Sequence, residues 1–131
     1  MNKIILLALF LILIGCKSTY VPSYTEDVIE IKSTALNDYW VRESTKVKVQ
    51  WGRSNSFPKG AGKGVFSVII DSSGYEISRE LVSSTPNGWL TQKHLDNMPK
   101  IKYKASQSNA KKVPVKVDMT YEVERYKLTK T

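Results

Sequence analysis

The chain has 131 residues and a formal net charge of +8, and it contains one cysteine and one histidine. A single cysteine excludes an intrachain disulfide, and one cysteine with one histidine cannot supply the usual ligand set of a zinc site. Ser-His-Asp or Cys-His catalysis would have to use His94, which has no nucleophile motif nearby. We therefore expect a protein that is not an enzyme, holds no metal or cofactor, and is stabilised by a packed core.

The first sixteen residues have the pattern of a lipoprotein signal. Met1-Asn2-Lys3 is a short basic segment, Ile4 to Ile14 is apolar, and Leu13-Ile14-Gly15-Cys16 resembles a bacterial lipobox. As a helix the apolar stretch would span about 16 Å, roughly half of a bilayer core, so an uncleaved membrane anchor is not expected. We expect residues 1–15 to be removed and Cys16 to carry lipid. The alternative is an ordinary signal peptide in which the cysteine is incidental.

Residues 16–27 lack a sustained apolar period and are predicted to be a tether between the lipid and one globular domain, residues 28–131. Lys17 follows the cysteine at a position where inner-membrane lipoproteins commonly have an aspartate. We therefore expect the protein at the outer membrane, facing the periplasm.

The first half of the domain gives short signals. Val28–Lys32 alternates weakly, as a strand does, and Ser33–Ser44 has apolar residues at near-helical spacing. Lys46–Trp51 alternates cleanly, with Val47, Val49 and Trp51 on one side, which predicts a half-buried strand.

The second half begins with a predicted hairpin. Val65–Asp71 is a nearly continuous apolar run suited to a central strand, Asp71-Ser72-Ser73-Gly74 has turn residues, and Tyr75–Val82 returns as the partner strand. Thr85-Pro86 is expected to begin a helix that runs from about Asn87 to Met98.

The last strand has the cleanest alternation in the chain. The residues predicted to face the core are Val113, Val115, Val117, Met119, Tyr121 and Val123. Those predicted to face solvent are Pro114, Lys116, Asp118, Thr120, Glu122 and Glu124. The predicted fold is α+β, with one main helix packed on one face of an antiparallel sheet built from Val65–Asp71, Tyr75–Val82, Ile101–Ala105 and Val113–Glu124. The carboxylates, Asp71 and Glu76 among them, are predicted to be scattered over turns and solvent faces.

Several short motifs between about Phe57 and Glu124 follow one another in a familiar order. They are Phe57-Pro58, the strand Gly64–Asp71, the turn Ser73-Gly74, Ser83-Ser84-Thr85-Pro86, the helix with Leu90 and Leu95, Tyr103-Lys104-Ala105, and Val113–Val117. In order and spacing they resemble the C-terminal domain of TonB, the periplasmic module of energy transducers. The chain departs from that family in having a cleavable signal and a short tether instead of a membrane helix and a proline-rich spacer. Energy transduction is therefore not expected to accompany the fold.

The resemblance implies a binding function. In the family, extended peptides of outer-membrane transporters approach the final strand, so it implies strand addition by an envelope protein and a link to outer-membrane transport. The residues implied to contact the partner are Lys116, Asp118, Thr120, Glu122 and Glu124. The alternative is that Val28–Lys32 already covers this edge, which would leave the domain self-contained.

The basic residues suggest a second function. Arg42–Lys63 holds six basic residues and one acid, Glu43, and Lys100–Lys116 holds six lysines and no acid. The alternative function is thus a structural envelope lipoprotein whose basic faces contact anionic lipid or cell wall. Nucleic acid is not expected to meet an exported lipoprotein. The sequence identifies no particular partner and leaves the oligomeric state open, a dimer included.

Overall fold

Two long strands form the centre of the fold. β3 (Gly62–Ile70) and β6 (Val115–Val123) pair antiparallel along their whole length, from Gly62 opposite Val123 to Ile70 opposite Val115. This computed structural model describes residues 19–43 and 58–124. The predicted strand Lys46–Trp51, the signal peptide and Cys16 lie outside the described residues.

The main sheet has four strands in the order β1-β6-β3-β4. β4 (Glu76–Thr85) pairs antiparallel with β3, and β1 (Ile29–Ile31) pairs parallel with the beginning of β6. The α+β class is confirmed, but the prediction of a purely antiparallel sheet is wrong because β1 makes the sheet mixed. Ile29 and Val115 are paired across most of the chain, and alternation within a segment does not show in which direction a distant strand runs.

The predicted strand Ile101–Ala105 does not join this sheet. Its observed part, β5 (Tyr103–Ala105), pairs antiparallel with β2 (Trp40–Arg42) in a separate two-stranded sheet. Trp40 and Tyr103 are both buried against the main sheet, and the indole Nε1 of Trp40 donates a hydrogen bond to the carbonyl of Val113 at 2.9 Å. The burial of these two rings explains why the small sheet packs over the core and does not extend the main sheet.

The helices are short. The described residues contain a 3-10 helix at Ser33–Ala35, α1 at Leu36–Tyr39 and α2 at Gln92–Asn97. One main helix from Asn87 to Met98 is therefore not confirmed.

The predicted helix begins five residues later than expected because a turn precedes it. The amide of Trp89 donates to the carbonyl of Pro86 at 3.0 Å, and Gly88 has φ of 77°, a left-handed conformation outside the helical region. The cap is Thr91 and not Thr85. The Oγ1 of Thr91 accepts from the amide of His94, and the Nδ1 of His94 accepts from the amide of Thr91, which completes a capping box. His94 thus has a structural contact here.

The core lies on one face of the main sheet in two adjoining clusters. One is built from Trp40, Val68, Ile70, Tyr103, Val115 and Val117, and the other from Trp89, Leu90 and Leu95. The second cluster packs directly on the backbone of β3, since a Cβ on Gly64 would lie 2.2 Å from the Cδ2 of Leu90. The alternation predicted for β6 is confirmed between Val115 and Val123: Val115 and Val117 are fully buried, whereas Asp118, Thr120 and Glu122 are exposed. The prediction that Pro114 faces solvent is wrong, because Pro114 precedes the strand and is fully buried.

Candidate functional site

β6 is an open edge over only part of its length. Ile29, Glu30 and Ile31 pair in parallel register with Val115, Lys116 and Val117. The covering that the sequence had left as an alternative is thus present at the beginning of the strand, and Lys116 lies beside β1. Asp118, Thr120 and Glu122 come after the end of β1, and Glu124 follows the strand.

The direction of the main-chain amides and carbonyls of β6 shows which part of its edge is free to pair with another strand. The amide of Ile29 donates to the carbonyl of Pro114 at 3.1 Å, so this carbonyl points toward β1. The main-chain amides and carbonyls of successive residues point to alternate sides of a strand. Those of Thr120 and Glu122 therefore point to the same side as the carbonyl of Pro114, whereas those of the residues between them bond to β3. Within residues 19–43 and 58–124, no strand pairs with that side beyond Val117. We call residues 119–123 on this side the open edge.

The two faces beside the open edge differ in chemistry. On the core side, Met119, Tyr121 and Val123 are half-buried, and Tyr121 stacks on Trp89 with ring centroids 5.7 Å apart. On the other side, the Glu122 carboxylate lies 3.8 Å from the Nζ of Lys63, and both side chains are about half exposed, so this ion pair is weak. A groove of about 480 Å³ adjoins the point where β1 ends. It is lined by Glu30, Ile31, Lys32, Ser33, Thr34 and Asp118.

The opposite edge of the sheet is blocked by side chains. Gln92 accepts from the amide of Leu81 at 3.0 Å and donates to the carbonyl of Arg79 at 2.7 Å, so one side-chain amide occupies the place of a neighbouring strand. The Nζ of Lys100 donates to the carbonyl of Ile77 at 2.8 Å. Because these contacts use the outward main-chain groups between Ile77 and Leu81, the β4 edge is protected there against pairing with another chain.

Asp71 joins the hairpin turn to the beginning of the described chain. Its Oδ1 accepts from the amides of Ser73 and Tyr75, each at 3.0 Å, as a turn aspartate is expected to do. Its Oδ2 accepts from the Tyr20 hydroxyl and, at 2.9 Å, from the amide of Ser23. Burial by itself raises the pKa of Asp71, but the hydrogen bonds from Ser23, Tyr20, Tyr75 and Ser73 together hold that pKa below its ordinary value.

The predicted tether is therefore in contact with the domain over part of its length. The amide of Ser72 donates to the carbonyl of Ser23 at 2.9 Å, and the amide of Thr25 donates to the Oγ of Ser72 at 2.9 Å. The Tyr20 ring also lies 4.9 Å from the ring of Tyr75. We call residues 20–25 the docked segment.

A buried ion pair ties β4 to the end of α2. Glu76 and Arg79 are nearly inaccessible and bonded to each other, and Arg79 also donates to the carbonyls of Leu95, Met98 and Pro99 at 3.3, 3.1 and 2.7 Å. The prediction that Glu76 lies on a turn or solvent face is wrong. β4 has an extra residue at Ile77 relative to β3, and this bulge turns both Glu76 and Arg79 toward the core.

The ion pair also changes the environment of Tyr103. Burial, followed by the negative charge of Glu76, raises the pKa of Tyr103 to about 12. The Tyr103 hydroxyl is 3.5 Å from the Oε1 of Glu76, and the amide of Ile101 donates to Oε2 at 2.9 Å. These contacts connect parts of the fold, so we assign the pair to stability.

Comparisons with known proteins give no relative. No protein-family model, curated protein or solved structure matches the chain. In the part of the chain that the structure describes, no group of three or more histidine, cysteine, aspartate or glutamate side chains could hold a metal ion. The described helices are all too short to cross a membrane.

Sequence reasoning found the strand of the candidate site and missed what surrounds it. The faces of β6 followed from alternation, but the extent of its open edge depends on β1. The second pair of donors to Asp71 comes from residues 48 or more positions away, and no local pattern signals such contacts. Gln92, which blocks β4, lies on α2, and in the sequence it is indistinguishable from an ordinary exposed helix residue.

Proposed function

We propose that the protein is a lipid-anchored binding module of the bacterial envelope. Its ligand is an extended segment of an envelope protein, which adds as a strand to the open edge of β6. The observation that carries the proposal is the alignment of the main-chain groups of Thr120 and Glu122 beyond the end of β1. Pairing with β3 along all of β6 keeps these groups in place before a ligand arrives, which reduces the ordering cost of binding.

The side chains beside the open edge define the ligand. Residues of an added strand alternate between the two faces of the sheet, so every second one would lie near Met119 and Tyr121 and the others near Asp118 and Glu122. The matching ligand is an extended segment in which apolar residues alternate with basic ones. It would enter beside the groove at Lys32 and continue the position of β1 along β6.

The remaining parts of the proposal concern location. In this proposal Cys16 carries the lipid, the lipid holds the protein at the outer membrane, and the protein partner is an outer-membrane transport protein. The resemblance of residues 57–124 to the TonB C-terminal domain supports this choice of partner, and Lys17 after the cysteine supports the choice of membrane.

Replacement of Cys16 by serine tests the anchor. We expect Cys16→Ser to move the protein out of the membrane fraction or to leave its signal uncleaved, because several acyl chains, at about 0.8 kcal/mol for each buried CH₂, hold a protein firmly. Fractionation of cells and the mass of the N-terminal peptide provide the measurement. As a matched control, Lys17→Asp should keep the lipid and shift the protein to the inner membrane. A wild-type protein found wholly soluble in the periplasm contradicts the proposal.

Replacement of Thr120 by proline tests strand addition. Proline removes the amide hydrogen that points away from β3, so we expect the variant to remain folded and to bind its partner at least ~10-fold more weakly, which corresponds to the loss of a main-chain hydrogen bond and of close approach. Thr120→Val is the matched control, because it keeps the amide and should bind as wild type does.

The partner for this measurement can be found by photo-crosslinking. A photo-reactive residue at position 120 should trap the partner in cells, and one at Glu80, exposed on the blocked β4, should not. Segments of the trapped protein are then titrated against each variant in low and high salt. Strand addition predicts a modest salt dependence, because salt screens the contacts of basic ligand residues with Asp118 and Glu122 but not the main-chain hydrogen bonds, whereas contact through basic faces alone predicts a steep loss with salt. Equal affinities for folded Thr120→Pro and wild type would rule out strand addition at this edge.

A further inference from the structure

One end of the domain carries an unbalanced group of lysines. Lys102, Lys104 and Lys112 are exposed and line one open groove beside the hairpin turn, where Glu43 is the acid among the lining residues. Lys111 lies close by and is paired with Glu26 at 3.5 Å. The sequence showed a lysine-rich stretch, and the fold brings it to the end where the docked segment binds the turn.

Exposed apolar and aromatic side chains occur at the same end of the domain. Tyr20, Val21, Tyr24 and Val41 are between 47% and 79% exposed, and Tyr75 is 40% exposed. The Nζ of Lys102 lies 5.3 Å from the centroid of the Tyr75 ring, which itself contacts Tyr20. Tyrosines beside lysines are typical of surfaces at the headgroup level of a membrane, because the ring is apolar and the hydroxyl is polar.

The position of Cys16 in the sequence places an anchor at the same end. Only residues 17–19 separate it from Tyr20, so the two Cα atoms lie within about 14 Å even in a fully extended chain. The Tyr20 hydroxyl donates a hydrogen bond to Asp71 at the turn. A lipid on Cys16 therefore keeps the turn and its lysines near the bilayer surface. Contact with the headgroups then brings the lysine charges within the ~8 Å Debye length at physiological salt.

We propose that this end of the domain, which we call the lysine end, lies on anionic lipid headgroups and fixes the orientation of the protein on the membrane. Lys102, Lys104 and Lys112 contact the headgroups, with Tyr20 and Tyr75 beside them. The inference rests on the lipidation of Cys16 in the proposed function. β6 begins near the lysine end, and Tyr121 lies six residues further along the strand, about 20 Å away, so the open edge is held clear of the membrane.

The backbone at Lys112 is an independent observation in favour of this surface. Lys112 has φ of 55°, in the left-handed region that glycine and asparagine adopt more easily than lysine. Asn109 holds the loop in this shape by accepting from the amides of Lys112 and Val113 at 2.9 and 2.8 Å. The proposed headgroup contact gives a reason for a lysine at a position where glycine costs less.

Amine labelling of the lipidated protein tests the proposal. The full lipoprotein is reconstituted in vesicles of phosphatidylcholine and phosphatidylglycerol in equal parts, or of phosphatidylcholine alone, and the labelling rate of each lysine is read by mass spectrometry. We expect Lys102, Lys104 and Lys112, and Lys111 beside them, to react ~5-fold or more slowly on the anionic vesicles, the effect expected for about one lysine at such a surface. Lys59 and Lys63, near the opposite end of β3, are internal controls and should react equally on both. Salt at about 1 M should abolish the protection.

Matched variants show whether these lysines cause the contact. The triple variant Lys102→Gln, Lys104→Gln, Lys112→Gln should return the labelling of Lys111 on anionic vesicles to its rate on neutral ones. Lys59→Gln, Lys63→Gln, Lys93→Gln removes the same charge and should leave Lys111 protected. The mass of the N-terminal peptide shows separately whether Cys16 carries lipid, and a chain without lipid defeats the proposed function. With lipid present, equal labelling of the lysine end on the two vesicles, or equal loss of protection in both triple variants, overturns this inference.

Discussion

Val117→Asp should leave the protein largely unfolded, whereas Lys116→Asp should lower the free energy of unfolding by less than about 1 kcal/mol. Val117 is fully buried in the core, opposite Val68 on β3 and Ile31 on β1. An unpaired carboxylate at this position costs several kcal/mol, which is a large part of the roughly 5–15 kcal/mol that stabilises an ordinary domain.

The neighbouring position is the control because it lies on the other face of the same strand. Lys116 is half-buried and pairs with Glu30 on β1, so an aspartate there adds only a like-charge contact in partly solvated surroundings. Urea unfolding monitored by circular dichroism gives both free energies. Similar losses for the two variants would mean that the faces of β6 do not have the roles described above.

Asp71→Ala should release the docked segment and lower the free energy of unfolding by about 3 kcal/mol, because four donors lose the carboxylate that accepts their hydrogen bonds. Two of those donors belong to the turn, and the other two, the Tyr20 hydroxyl and the Ser23 amide, belong to the docked segment. Hydrogen exchange followed by mass spectrometry should show much faster exchange in residues 20–25. Tyr20→Phe is the control, since it removes one donor and keeps the acceptor, and should produce a smaller change.

The same carboxylate makes the docked segment sensitive to acid. The pKa of Asp71 is lower in the folded protein than in the unfolded chain, so its contribution to stability is present above about pH 4 and is lost as the pH falls through the folded-state pKa. We expect exchange in residues 20–25 of the wild type to accelerate below about pH 4, and Asp71→Asn to lack this transition. Protection of residues 20–25 in Asp71→Ala equal to that in the wild type would show that Asp71 does not hold the segment.

The two ends of the sheet have different proposed partners. The lysine end and the docked segment lie where β3 ends and β6 begins, and the open edge lies toward the other end of β6. A lipid at Cys16 would hold the first end at the membrane and leave the second accessible to a protein partner. Gln92 and Lys100 block the middle of β4, whereas β6 beyond Val117 has no strand beside it within residues 19–43 and 58–124.

Local patterns determined the elements whose partners are near in sequence. The hairpin from β3 through Asp71 and Gly74 to β4 was predictable because a turn aspartate and a glycine with positive φ lie between two apolar runs. The faces of β6 were predictable because side chains alternate with a strict period of two. The α+β class follows from these elements, and so does the placement of Thr120 and Glu122 on the exposed face.

Only the tertiary structure decided which segments meet. The parallel pairing of β1 with β6, the separate sheet of β2 and β5, and the contact of Tyr20 with Asp71 all join residues more than 50 positions apart. Glu76 is buried because a bulge in β4 turns its side chain to the core face of the sheet. α2 begins later than predicted because the residues before it, Trp89 and Leu90, pack on the glycines of β3. The sequence alone determined local backbone preference and the side on which each strand is apolar. The extent of the open edge and the grouping of the lysines depend on contacts between distant segments, whose free energy comes from burial and hydrogen bonding that no single segment possesses.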